Sequence, residues 1–414
     1  MTWIVILLFY SKHIWAKNVL VKKQIIYMVA WKKFFNDTTS VVEGKFDNLL
    51  FDLRKRLKLN DPVQIITYRS YGTVNRLYIK GRLLEDKGIN SATDRDTIFN
   101  NLVNMYHRFQ SDEIPGATLK VNFQDQEHTI ITDEEGYFML NLAPETPINA
   151  TDMWHEVDVE LIDAPIKFQP GLKCAAPVLV PPVDAEYGII SDIDDTIIHT
   201  SATDILAMSR KVFLHNARTR LPFAGVSEFY KSLQLGRNGK RNNPFFYVSS
   251  SPWNMYDLLK DFLDLNQIPE GPLLLRDFGL QDNKFISSGH MGHKFKEIEN
   301  ILLTYPLLNF VLIGDSGQED PAIYREIVKK FPGRILAIYI RDVQLADREK
   351  IAMDISVELK DHVELLIVDN TVEAAEHAAK TGLIITQAIP EIEVDKKQDK
   401  GETAGKEEAS ILGD

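Results

Sequence analysis

The chain is nearly without cysteine: Cys174 stands alone among 414 residues. That excludes a disulfide framework and any zinc cluster built from cysteines. It also lacks a long hydrophobic run. No apolar stretch reaches the ~18 residues that span a bilayer, and the longest early one, Trp3 to Tyr10, is eight residues. An excess of positive charge is missing too. The formal net charge is -12, whereas a general nucleic-acid binder presents a basic face to phosphates; no nucleic-acid partner is expected. What the chain does have is apolar substance. Its 44% hydrophobic and 10% aromatic residues suffice for packed cores and exclude wholesale disorder. Its length suggests two or three domains.

The ends read differently from the middle. Residues 1–44 form a basic N-terminal extension: the first 36 residues hold six Lys and no acid, with Trp3, Trp15 and Trp31 among them. Lys mixed with Trp suits a membrane interface, but a loose terminus, with Met28 as a second candidate start, is the favoured reading. Trp3–Tyr10 has no basic residue before it and no small-residue cleavage site after it, unlike a signal peptide. A cytoplasmic protein, possible peripheral membrane contact included, is therefore expected. Residues 391–414 carry eight acids, four Lys and no aromatic, and read as a disordered acidic tail.

Between the ends the hydrophobic period changes once. Over 45–168 it is mostly two. Val63–Tyr68, Arg76–Lys80, Thr118–Phe123, Glu127–Thr132, Tyr137–Leu142 and Trp154–Leu161 read as strands. Asp133-Glu-Glu-Gly136 reads as a hairpin turn and Thr97–Phe109 as a helix. Short strands with turn signals predict a small β-sandwich, and Thr132-Asp-Glu-Glu-Gly-Tyr-Phe138 resembles the transthyretin-like sandwiches. No catalytic residue types gather there, so a structural or partner-binding module is expected. Residues 169–186, rich in Pro and small apolar side chains, read as a linker.

Over 187–390 the pattern is that of an α/β domain. Gly188–Ile190, Phe245–Val248, Phe310–Ile313 and Ile335–Ile340 are short and almost wholly apolar, as strands of a parallel sheet covered on both faces are. Trp253–Leu265 and Phe295–Tyr305 repeat apolar residues at helical spacing. The alternation predicts a doubly wound parallel sheet, whose ligands bind beyond the carboxyl ends of the strands.

Each of those strands runs into polar residues. After the first come Asp192, Asp194 and Thr196. Paired carboxylates with a hard cation suit phosphoryl transfer, one as nucleophile and one as proton shuttle; an acidic turn that caps a helix is the alternative. After the second come Ser249, Ser250 and Ser251. Ser251 and Pro252 suit the N-cap and first position of a helix, whose free N–H groups would face a phosphate near Ser249. Lys294 opens the Phe295–Tyr305 helix, close to the loop residues His290 and His293. After the third strand come Asp315 and Asp320, able to return carboxylates to one cation, with Glu319 a rival for Asp320. All four segments fall on one edge of one sheet.

Together, Asp192-x-Asp194-x-Thr196, Ser249, Lys294 and Asp315…Asp320 resemble the four motifs of the haloacid-dehalogenase superfamily of phosphohydrolases. Tyr247-Val-Ser-Ser-Ser-Pro-Trp-Asn254, Gly271-Pro-Leu-Leu-Leu-Arg-Asp277, His293-Lys294 and Gly314-Asp-Ser-Gly-Gln318 are similar to the catalytic domain of the actin-patch phosphatidate phosphatases, relatives of the lipins, over roughly 181–342. Tyr68-Arg-Ser-Tyr-Gly72 resembles bacterial members with a β-domain in front. The resemblance implies a haloacid-dehalogenase-like domain over 187–390, and Mg2+ as cofactor. Asp192 is then the nucleophile, and Asp194 the acid/base whose carbonyl also faces the metal. Thr196, Ser249, Ser250 and Lys294 hold the phosphoryl group, and Asp315 and Asp320 complete the metal site. Arg276 and Arg341 are candidates for a head group, or for surface ion pairs. The segment 200–236 is too short for a large cap, which suits a substrate held in a membrane. The expected function is hydrolysis of a phosphorylated lipid, phosphatidate first, through an aspartyl-phosphate. The alternatives are a soluble phosphomonoester, and a non-catalytic lipid-sensing module, which the presence of both Asp192 and Asp194 disfavours. The oligomeric state has no signature in the sequence.

Overall fold

The structure, a computed structural model, describes residues 63–85, 113–194, 196–197, 224–276, 290–343 and 345–399. The basic extension over 1–44, the Thr97–Phe109 helix, most of the segment 200–236 and the tail from 400 lie outside the described residues.

The first region is built of β1 (Val63–Thr67), β2 (Ser70–Thr73), β3 (Arg76–Glu85), β4 (Thr118–Phe123), β5 (Gln126–Ile131), β6 (Tyr137–Leu142), β7 (Trp154–Asp163) and β8 (Lys173–Leu179). They form one eight-stranded sheet in the order β1-β3-β2-β8-β7-β4-β5, with β6 beside β3. Alternate residues from all along it, Ile79 and Leu83, Leu119 and Val121, Phe138, Val157 and Val159, Val178, meet in a single apolar core. Such alternation is the signature of strands with one buried face.

Two expectations are corrected here. The 169–186 stretch is no simple linker. Its residues 173–179 are β8, antiparallel to β7 and parallel to β2; Ala176 and Val178 are small enough to fill the core and are fully buried. Nor does Asp133–Gly136 close a hairpin: β5 pairs with β4, and β6 pairs with β3. The turn carries the chain from one part of the sheet to another. Asp133 Oδ1 accepts from Glu135 N–H at 3.0 Å and Tyr137 N–H at 2.8 Å. Gly136, at φ 74°, is required because a Cβ there would lie 2.6 Å from the Leu83 carbonyl oxygen.

The second region contains β9 (Gly188–Ser191), α1 (Val226–Leu235), β10 (Phe245–Pro252), α2 (Tyr256–Leu265), β11 (Leu273–Arg276), α3 (His290–Thr304), β12 (Phe310–Asp315), α4 (Asp320–Lys330), β13 (Ile335–Arg341), α5 (Ala346–Leu359), β14 (Leu365–Val368), α6 (Thr371–Lys380) and α7 (Ile389–Asp399). Six strands form a sheet in the order β11-β10-β9-β12-β13-β14, and every pair is parallel. Successive residues go to opposite faces. Ile189, Tyr247 and Val311 pack with α1, α2, α6 and α7; Ile190, Phe246 and Leu312 pack with α3, α4 and α5. With both faces covered, the strands are apolar up to their carboxyl ends, where the buried polar residues Ser191, Ser249–Ser251 and Asp315 gather.

Part of the predicted acidic tail is ordered. Helix α7 reaches Asp399, and Ile392, fully buried, joins the core under α1 and α6. One apolar side chain in register with a groove outweighs the surrounding charge, which faces outward. The β region reaches into both cores of the α/β region, Tyr68 and Tyr137 into one and Leu179 into the other.

Candidate active site

The chain runs from β9 to β10 and β11 on one side, then returns to β12 on the other side of β9. The carboxyl end of β9 is therefore the switch point, where crossovers diverge and leave a crevice. Asp192 and Asp194 leave β9 into it, Ser249–Ser251 come from β10 and Asp315 from β12. The Asp192 N–H donates to the Ile313 carbonyl at 2.9 Å, which extends the ladder just far enough to fix the first carboxylate.

Asp192, Asp315 and Asp320 each offer a carboxylate oxygen within 4.8 Å of the others, and all three are buried. Asp320 rather than Glu319 completes this cluster. Its approach depends on Gly314, where a Cβ would lie 2.6 Å from Asp320 Oδ2. Asp315 Oδ1 accepts from Gly317 N–H at 2.7 Å and Gln318 N–H at 2.9 Å. Lys294 Nζ lies 3.0 Å from Asp192 Oδ2 and 2.7 Å from Asp320 Oδ1. It comes from the second turn of α3, which begins at His290, and not from the helix start. The Asp194 carboxylate points elsewhere: its Oδ2 accepts from Ser249 Oγ at 2.8 Å and Ser251 Oγ at 3.1 Å.

The serine loop corrects another expectation. Ser251 is not a helix cap. β10 continues through Pro252, which is extended, and the 3-10 turn Trp253–Met255 that follows has no side-chain cap. The hydroxyl goes to Asp194, because a buried carboxylate is the stronger acceptor. The helix start expected directly after Ser251 is therefore absent; the next helix, α2, begins at Tyr256. Thr196 Oγ1 and Ser250 Oγ are buried and, among the described residues, have no hydrogen-bond partner.

Gln318 and Ser251 hold the site together, and no role was expected for either there. The Gln318 amide donates to Asp192 Oδ2 and to the Asp194 carbonyl, both at 3.2 Å, and its Oε1 accepts from Lys294 Nζ at 3.2 Å. Only its place in Gly314–Gln318 hinted at a role. His293 lies at the edge, outside the carboxylate cluster. Burial lowers its imidazole to about 4, with Arg276 and Lys294 adding to the effect against the carbonyls of Leu274 and Ser249. Arg341 does not enter the cluster; its Nη2 donates to Thr371 Oγ1 at 3.2 Å, and burial lowers it to about 10.

Electrostatically the site is unbalanced: three buried carboxylates, Asp192, Asp315 and Asp320, face one ammonium, with Asp194 close by. Burial pushes the Asp192 carboxyl well above the ordinary range. Lys294 pulls it back, and Asp320, Asp315 and Asp194 add to the push. Burial alone would lower the Lys294 ammonium, but Asp192, Asp320 and Asp315 hold it above its ordinary value. Asp192 Oδ1 is buried without a hydrogen-bond partner among the described residues. An all-oxygen donor set, surplus negative charge and an orphaned carboxylate oxygen fit a hard divalent cation such as Mg2+.

Residues 187–342 match the family described as phosphatidate phosphatase APP1, catalytic domain. Phosphatidate phosphatase APP1 of Saccharomyces cerevisiae is 40% identical over 155 residues, which are 37% of this chain and 25% of that protein. An uncharacterised protein of Schizosaccharomyces pombe is 28% identical over 228 residues, 54% of this chain and 36% of that one. The chain thus matches 25% and 36% of the length of these relatives. All eight candidate residues lie inside the stretch matching the APP1 catalytic domain, and the β region lies outside it. Among solved structures, a carbohydrate acetylesterase from Xanthomonas citri aligns over 72% of this chain and 75% of its own at 10% identity. Its TM-score is 0.26, and it carries no argument.

Proposed function

We propose that the chain is a Mg2+-dependent phosphomonoesterase of the haloacid-dehalogenase type, which hydrolyses phosphatidate at a membrane surface to diacylglycerol and phosphate. One observation carries this reading. Asp192 lies 3.0 Å from Lys294, while Asp194, two residues on, is turned away and held by two hydroxyls. Two adjacent carboxyls in such different surroundings suit different tasks. The family of residues 187–342 and the name of the budding-yeast relative support the substrate class.

In this reading the carboxylates of Asp192, Asp315 and Asp320 and the Asp194 carbonyl would hold Mg2+. When bound, the ion supplies positive charge that offsets repulsion between a phosphate dianion and the carboxylates. Asp192 attacks phosphorus as the ester P–O bond breaks, and the departing oxygen takes the proton of the Asp194 carboxyl. The product is an aspartyl-phosphate and an alcohol. Asp194, now ionised, takes a proton from water, whose oxygen attacks phosphorus; phosphate leaves and Asp192 is restored. Lys294 and the hydroxyls of Thr196 and Ser250, which have no hydrogen-bond partner among the described residues, receive the phosphoryl oxygens, while the Ser249 hydroxyl stays on Asp194.

The test is phosphate release from phosphatidate vesicles, in chelator and after Mg2+ is restored. Release that stops and returns supports the proposal. Full release in chelator overturns the metal assignment. Release from nucleotides but not from vesicles moves the substrate to a soluble phosphomonoester, and release from neither overturns the enzyme.

A further inference from the structure

The family match covers 187–342 and leaves out the β region, yet β-region side chains grip the chain just beyond the serine loop. Ser251, which holds Asp194, is followed two residues later by Trp253. The Tyr68 ring stacks on Trp253 with centroids 4.5 Å apart and planes 29° apart, and lies 4.5 Å from the Tyr256 ring. Lys80 Nζ sits 3.9 Å above the Trp253 ring, a cation–π contact. The Arg69 N–H donates to the Tyr256 hydroxyl at 2.7 Å. Arg82 Nη1 donates to Asn254 Oδ1 at 3.1 Å, while Glu135 O at 2.8 Å and Glu113 at 2.9 Å fix its other nitrogens.

Trp253, Met255 and Tyr256 are buried in the core shared with α2, so the β-region contacts add to packing that the α/β region already supplies. Trp253–Met255 is a single uncapped 3-10 turn, a form with weak hydrogen-bond geometry. Beside it lies a cavity of about 350 Å3, with Tyr71, Tyr78, Lys80 and Trp253 among its walls. The indole forms part of the wall of that cavity, and Lys80 covers the ring there.

We propose that the β region is a positioning part of the active site: Lys80, Tyr68 and Arg82 clamp Trp253–Tyr256, and through the two preceding residues keep Ser249 and Ser251 on the Asp194 carboxyl. This rests on the reading of Asp194 as the acid that protonates the leaving oxygen. A displaced acid harms substrates in proportion to their need for that proton. An alkyl phosphate such as phosphatidate needs it; p-nitrophenyl phosphate, with a stable phenolate leaving group, does not. A general loss of folded protein lowers both rates equally.

The experiment compares the full chain with Lys80→Met, which keeps the aliphatic stem, and Lys80→Arg, which keeps the cation. General acid catalysis is worth ~10²–10⁴-fold, so a loosened acid in Lys80→Met is expected to lower kcat about 10-fold on phosphatidate and under about 3-fold on p-nitrophenyl phosphate, with Lys80→Arg near wild type. Hydrogen exchange across 249–256 is expected to rise in Lys80→Met, with β12 unchanged. Equal losses on both substrates, or unchanged rates and unchanged exchange, overturn the clamp. If the wild-type chain releases phosphate from neither substrate, the phosphatase reading fails by itself. The exchange measurement then decides the clamp: faster exchange confined to 249–256 sustains it, and unchanged exchange overturns it.

Discussion

The two regions handle buried charge in opposite ways. In the α/β region, charge is concentrated at one strand end: Asp192, Asp194, Lys294, Asp315 and Asp320 are all buried there. In the β region the core is apolar, and its buried arginines lie on the seam with the other region. There Arg69 meets Asp264 and Glu270, and Arg82 reaches Asn254. Burying ions costs several kcal/mol each unless partners compensate. One region incurs that cost to assemble reactive groups. The other incurs it to fix its position against them.

The contrast can be broken most severely at Asp192. Asp192→Asn removes the proposed nucleophile, and phosphate release is expected to fall on the order of 10⁴-fold or more. The fold should survive, because one charge leaves an overcrowded carboxylate cluster. An unchanged rate would remove Asp192 from its role. Next comes Lys294→Met, which strands the carboxylates without their ammonium. A loss of about 3–5 kcal/mol in denaturant unfolding is expected, partly reversed by Mg2+, which supplies charge in place of the missing cation. A loss below about 1 kcal/mol would show that the charges are not energetically coupled.

In the β region the corresponding lesion is a cavity. Leu119→Ala, near the start of β4 and fully buried, is expected to cost about 2–5 kcal/mol with turnover per folded molecule unchanged. A selective drop in turnover would mean that the two regions are coupled through the whole sheet rather than at the seam. The smallest expected effect is one of pH. The buried His293 imidazole is lowered to about 4, below its ordinary value near 6.5. Between those values the unfolded chain binds the extra proton, so this contribution is complete above pH 6.5 and is lost as pH falls toward 4. The loss is up to about 3 kcal/mol. Unfolding curves of wild type and His293→Gln should converge as pH falls through that window; parallel curves would refute the neutral buried histidine.

Much of this was legible from residues alone. β4 and β6 fall on the residues that alternation marks, and the apolar runs of β9, β10, β12 and β13 give away strands covered on both faces, with polar residues clustered at their ends. β8 was hidden because Pro and Ala fill a core as well as they make a linker. α7 was hidden because Ile389, Ile392 and Val394 amid charge make no helical period, and only Ile392 is fully buried. Ser251 was read as a cap because an N-cap serine and one that binds a carboxylate look alike in sequence.

The sequence by itself determined which residues carry charge and where apolar strands end, because period and residue type are local properties of the chain. Tertiary structure alone decided which charges meet. Asp192 and Asp315 are more than a hundred positions apart, and so are Tyr68 and Trp253. Only the strand order around β9, and the docking of one sheet on the other region, brings each pair within reach of the short-range forces that give it a function.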